Sequence, residues 1–176
     1  MLLPDPSKRL RFRGWEEADT IPFAQMNQDP EVMAFFPSPL SVEETVAFVG
    51  RIKKDFEVYG FGLYVIEKMR EPGFIGFTGF SVVRFESFFT PCTEIGWRLN
   101  RKDWGKGYAT EAARTCLEFG FSNLGFNKVC SFTSVLNNRS LRVMNRIGMT
   151  CLGEFEHPLV PKGNPLRTHS LYQILR

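Results

Sequence analysis

A chain of 176 residues with 43% hydrophobic and 23% charged side chains is long enough to bury a core without disulfide or metal staples, which excludes wholesale disorder. Its net charge of +3 comes from dispersed Lys and Arg with no basic block, so nucleic acid is not an expected partner, although a mild attraction for anions remains. Cys92, Cys116, Cys130 and Cys151 form no C-x-x-C pair and His157 and His169 add no ligand cluster. No metal is therefore expected, and reduced thiols without an apolar leader or an 18-residue apolar run predict a cytoplasmic protein with no membrane partner.

Leu10-Arg11-Phe12-Arg13 alternates as a short first strand does. Asp29-Pro30 has the chemistry of a helix opening, and Ser41 with Glu44 forms a capping box before a second helix whose inner face is read as Val42, Val46, Val49, Ile52 and Phe56. Phe61 to Lys68 and Phe74 to Val83 read as a hairpin, and Thr93 to Leu99 as a third strand with Ile95, Trp97 and Leu99 opposite Glu94, Gly96 and Arg98. A helix with the small stripe Ala109, Ala112, Ala113, Cys116, Leu117 and Gly120 comes next, able to lie close against a sheet. Lys128 to Thr133 is a strand, Asn137 opens a short helix ended by Gly148, and Thr150 to Glu156 and Thr168 to Leu175 are the final strands. The phenylalanine pairs Phe35-Phe36 and Phe88-Phe89 are assigned to the core rather than to a pocket. One α/β (α+β) domain over residues 1–176 is expected, with a mixed sheet and helices on its faces.

The chemistry concentrates at Trp104-Gly105-Lys106-Gly107-Tyr108-Ala109, between the third strand of that group and the small-faced helix. A strand, a glycine-rich turn and a helix N-terminus make an anion site: first-turn amides lack helical partners, the helix dipole adds positive charge, and glycine allows close backbone approach. Lys102 and Lys106 stand beside it, either as charge partners of the anion or as solvated surface residues. The P-loop pattern is absent, and Thr110 occupies the third-glycine place of a dinucleotide fingerprint.

The turn resembles the pyrophosphate loop Q/R-x-x-G-x-G/A of the GNAT (Gcn5-related N-acetyltransferase) superfamily, with Trp104 at the Q/R place, Gly107 as first glycine and Ala109 at the G/A place. Glu94 to Leu99 upstream, the aromatic Trp104 itself, and Asn137-Asn138-Arg139-Ser140 with Gly148-Met149 downstream are similar to its RimJ/RimL-type branch. Arg9 to Arg13 with Asp19, and Asp29 to Met33, extend the likeness over nearly the whole chain.

The resemblance implies a splayed, mostly antiparallel sheet of six to seven strands flanked by about four helices. It also implies acetyl-CoA as cosubstrate and direct transfer to an amine acceptor, a protein N-terminus or a small amine. Residues Gly105 to Ala109, with Tyr108 among them, would cradle the pyrophosphate; the backbone of Trp97, Arg98 and Leu99 would hold the pantetheine arm; Asn137 would bind pantetheine or cap its helix. Glu94 is the leading general base and Ser140 the candidate proton donor to the CoA thiolate, with a paired strand residue and a helix-capping role as their alternatives. Met144 occupies the place where the superfamily often carries a tyrosine acid, Tyr172 is expected in the core, and Glu111 is expected to brace the structure. A homodimer is compatible with the resemblance. A non-catalytic acyl-CoA-binding module of the same fold is the competing reading.

Overall fold

The computed structural model describes residues 1–176. Its strands are β1 (Leu10–Arg13), β2 (Leu63–Lys68), β3 (Phe74–Val82), β4 (Thr93–Leu99), β5 (Lys128–Ser134), β6 (Thr150–Glu156) and β7 (Thr168–Leu175). They form one seven-stranded sheet in the order β1-β2-β3-β4-β5-β7-β6, antiparallel throughout except for the parallel neighbours β4 and β5. Four helices complete it: α1 (Thr20–Gln28), α2 (Val42–Tyr59), α3 (Tyr108–Ser122) and α4 (Asn138–Arg146). The mixed, mostly antiparallel α/β architecture expected from the sequence is the one observed.

Strand β2 explains how the two faces are filled. Tyr64 and Ile66 join the cluster beneath α3, built on Ala112, Ala113, Cys116 and Leu117, while Leu63 and Val65 join Phe23, Met26, Val49 and Ile52 beneath α1 and α2. A strand covered on both sides reads as an unbroken apolar run, as Leu63 to Ile66 does.

Two helical expectations need correction. The first helix is Thr20–Gln28, and Asp29 ends it in an extended conformation. Asp29-Pro30 does open a turn, with the Met33 amide bonded to Asp29 O and Asp29 Oδ1 accepting from Glu31, but Pro37 and Pro39 follow and the turn does not propagate. In α2 the capping box forms as read, Glu44 N donating to Ser41 Oγ at 3.1 Å and Ser41 N to Glu44 Oε2 at 2.7 Å. Its buried face is nevertheless Thr45, Val49, Ile52 and Asp55, leaving Val42 and Val46 half exposed. Polar contacts set this rotation: Asn27 Nδ2 donates to Thr45 Oγ1 at 3.1 Å, and Asp55 pairs with Arg84.

Strand β3 approaches β4 closely through glycine. Gly76 has φ 146°, and a Cβ there would lie 2.1 Å from the Arg98 carbonyl oxygen; Gly79 has φ 144°, and a Cβ there would lie 2.3 Å from Gly62 O, on the β2 side. Gly76→Ala is expected to lower unfolding free energy by roughly 2–4 kcal/mol, read as a shifted denaturation midpoint, because the strain adds to a backbone clash. A midpoint within error of the parent would show that the strands have room to part.

Candidate active site

Strands β4 and β5 touch at one register pair, Glu94 with Cys130, and Ser131 Oγ donates to Ile95 O at 2.9 Å just beyond it. Past Ile95 no strand lies beside the β5 side of β4. On the other side Asn100 N donates to Ile75 O, and Phe77 faces Arg98. Backbone groups alternate along a strand, so the Arg98 amide belongs to the β3 ladder, and only Trp97 and Leu99 direct their amides into the gap. The expectation that Arg98 offers its backbone there is corrected by this alternation.

The gap opens towards the glycine turn. Gly105 and Gly107 have φ 73° and 81°, and Gly107 is the N-cap of α3 without any side-chain cap. The first intrahelical bond is Glu111 N to Gly107 O, so the amides of Tyr108, Ala109 and Thr110 carry no helical partner. Trp104 donates its indole N–H to Leu99 O at 2.9 Å, and the Arg139 guanidinium lies 4.3 Å above its ring. An aromatic therefore has a distinct task at this place: it satisfies the carbonyl that the missing strand leaves free.

Lysine placement differs from a simple cationic rim. Lys106 Nζ bends back to Lys102 O at 2.7 Å, and Lys106 and Lys68 each place Nζ 3.8 Å from Oδ1 of buried Asp103. Lys102 is exposed. Glu111 braces the turn as expected: it accepts from the Arg9 amide and Ser7 Oγ at 2.8 Å each, and from Arg9 Nε at 2.6 Å, while Arg9 Nη1 donates to Lys106 O. These contacts hold the carboxyl of Glu111 below the usual carboxylate range against a burial effect that would raise it.

A cavity of about 830 Å³ runs from the turn and the β4 edge to the face covered by α1 and α2. Trp97, Leu99, Gly105, Gly107, Asn137 and Ser140 line one part; Phe36, Arg51, Glu94, Arg98, His157 and His169 line another. Phe36 is thus a pocket residue and Phe88 is 76% exposed, both contrary to the core assignment. Burial pushes the Glu94 carboxyl up to about 8, opposed by the Ser81 hydroxyl 3.4 Å away.

Asn137 acts as the α4 N-cap, its Oδ1 accepting from Ser140 N at 3.2 Å and its Nδ2 donating to Thr133 Oγ1 at 3.0 Å. Ser140 lines the cavity with a hydroxyl that makes no hydrogen bond within the chain. Met144 and Tyr172 are both core residues.

The histidines were unplaced in the sequence and meet in the fold. Their rings lie 4.7 Å apart, walled by Phe132 and Phe155. Burial is the main cause that lowers both, His157 to about 4 with help from His169 and Arg167. His169 Nδ1 donates to Arg167 O and His157 Nδ1 accepts from Leu159 N. The pairing of β6 with β7, which sets Phe155 opposite His169, is the feature that joins them.

Residues 9–150 match the family model described as an acetyltransferase (GNAT) domain. The chain is 32% identical to the uncharacterized N-acetyltransferase YnaD of Bacillus subtilis, over 96% of this chain and 95% of that one. A crystal structure of a GNAT-family acetyltransferase from Bacillus anthracis is 29% identical and covers 96% of each chain with a TM-score of 0.78. The fold is also that of RimL, a ribosomal L7/L12 α-N-protein acetyltransferase in complex with coenzyme A, at 18% identity and a TM-score of 0.78 over 99% of this chain and 98% of that one. This chain belongs to the GNAT acetyltransferase family.

Glu111→Gln should lower stability by roughly 1–3 kcal/mol at pH 7, as a charge-assisted brace is lost. Because the folded-state pKa of Glu111 is depressed, its contribution is complete above the unfolded carboxylate value and disappears as pH falls through the lower folded value. Denaturant melts of both proteins from pH 7 to 3 should therefore converge at the acid end; a constant difference would assign the brace to something other than the charge.

Proposed function

We propose that this member of the GNAT family transfers an acetyl group from acetyl-CoA to a primary amine, a small amine or a protein N-terminus. The observation that carries this reading is the unpartnered β4 edge at Trp97 and Leu99, opening directly onto the glycine turn and the N-terminus of α3. The residues fit the cosubstrate. Gly105 and Gly107 hold left-handed backbone that admits a close phosphate, and three first-turn amides of α3 point to it with the helix dipole behind them. Trp97 and Leu99 offer an edge to which an amide-bearing arm adds like a strand.

Acetyl-CoA bound there supplies an acetyl group activated as a thioester. Glu94, when ionised, takes a proton from the acceptor's ammonium group and leaves the nitrogen lone pair free to attack. An amide of Trp97 or Leu99 donates to the carbonyl oxygen as negative charge gathers on it. As the nitrogen–carbon bond forms and the carbon–sulfur bond breaks, the Ser140 hydroxyl gives a proton to the departing sulfur, and the second proton of the attacking nitrogen returns to the Ser140 oxygen, leaving a neutral amide and the free thiol. Buried Met144 offers no proton, which supports Ser140 as the donor in this chain.

Thiol release from acetyl-CoA over a panel of amines and peptides tests the reading. Wild-type kcat/KM should rise with pH, pass half of its plateau near 8 and level off only above that, because Glu94 is protonated below its folded pKa of about 8 and inactive as a base in that form. Glu94→Gln should lose about 10²–10⁴-fold in kcat and flatten that limb. Tight acetyl-CoA binding with no thiol release for any amine would favour the non-catalytic module instead.

A further inference from the structure

Charged side chains buried in this protein come with partners. Asp19 and Glu67 pair with Arg13, Asp55 with Arg84, and Asp103 lies near Lys68 and Lys106. Among the buried groups that are charged at neutral pH, Arg98 is the exception. It is 9% exposed and no carboxylate lies within ion-pair distance of it. Nη1 donates to Asn27 Oδ1 at 2.5 Å, and Asn27 is itself fully buried and held by Thr45. The guanidinium stacks on Phe36 at 4.1 Å and on Phe77 at 5.5 Å. Nε is shut away from the cavity without any partner, whereas Nη2 forms no hydrogen bond within the chain and is not enclosed in this way. Nη2 is thus the donor left to meet a ligand in the cavity, where a charge-assisted hydrogen bond to a carboxylate is the strong contact it can make. Burial lowers the pKa of Arg98 only to about 10, so it is cationic at neutral pH.

Its position gives this charge a use. Arg98 and Glu94 project to the same face of β4 and line the same cavity, with only Gly96 between them on that face. At about 3.4 Å per residue, their Cα atoms are roughly 14 Å apart along the strand. A solitary buried cation destabilises the fold unless something outside the chain meets it. Resting on the acetyl-transfer reading above, we propose that Arg98 binds a carboxylate carried by the acceptor. The acceptor is then an amino acid or a related amine with a free carboxylate, not a simple alkylamine or polyamine.

The test compares the proteinogenic L-amino acids with their α-carboxamides as acceptors, rates being referred to the free-amine concentration. For the best acid, kcat/KM should exceed that of its amide by about 10–100-fold, the range of one charge-assisted hydrogen bond. In Arg98→Gln this acid-to-amide ratio should fall to near one. A purely structural Arg98 would depress acid and amide together and leave the ratio intact, which would overturn the proposal, as would equal rates in the wild type. Should Arg98→Gln fail to fold, Arg98→Lys is read in the same way, with the ratio reduced because the shorter lysine withdraws the donor that Nη2 supplies. Binding of the N-acetyl-amino acids, followed by thermal shift, separates this proposal from the catalytic one. If no amine is acetylated, a shift in wild type that is lost in the variant still supports carboxylate binding, and an absent or equal shift contradicts it.

Discussion

The single register pair between Glu94 and Cys130 is the constraint on which the rest of the molecule depends. A parallel junction held at one point lets β4 and β5 diverge, while β3 and β7 keep each strand in a continuous ladder on its far side. Divergence leaves backbone groups of Trp97 and Leu99 unpaired, a state that native proteins tolerate only where another group satisfies them. The Leu99 carbonyl is met by the Trp104 indole, and Ile95 O by Ser131. The two amides remain available, next to a helix N-terminus whose own amides are equally free.

Strand β4 then divides the work by alternation. Its odd residues bury Ile95 and Leu99 beneath α3 and turn their backbone to the gap; its even residues turn their backbone to β3 and send Glu94 and Arg98 towards the α1/α2 face. One seven-residue strand thus turns main-chain donors to the gap and ionisable side chains into the cavity. Both side chains are shifted by burial in the direction of their neutral forms, a perturbation that clusters at functional sites.

Much of this was legible in the chain. The glycine turn, the small stripe of α3 and strands β4 to β7 announce themselves because alternation and glycine punctuation are local properties. Helix α1 is hidden because Pro22 and the buried Asn27 break its apolar pattern; Asn27 is inside for its hydrogen bonds to Thr45 and Arg98, which belong to distant segments. The inward face of α2 is misread for the same reason. At the site, residue types and loop chemistry indicate an anion and a base, whereas strand alternation decides which amides are free. The solitude of Arg98 and the meeting of His157 with His169 arise only when the sheet register brings distant segments together.

Amide-resolved hydrogen exchange with and without acetyl-CoA tests the open-edge account most directly. The account predicts that Trp97, Leu99 and the Tyr108 to Thr110 amides become protected on binding, while the Arg98 amide, already in the β3 ladder, changes little. Binding that protects other segments and leaves Trp97 and Leu99 exchanging as before would contradict it.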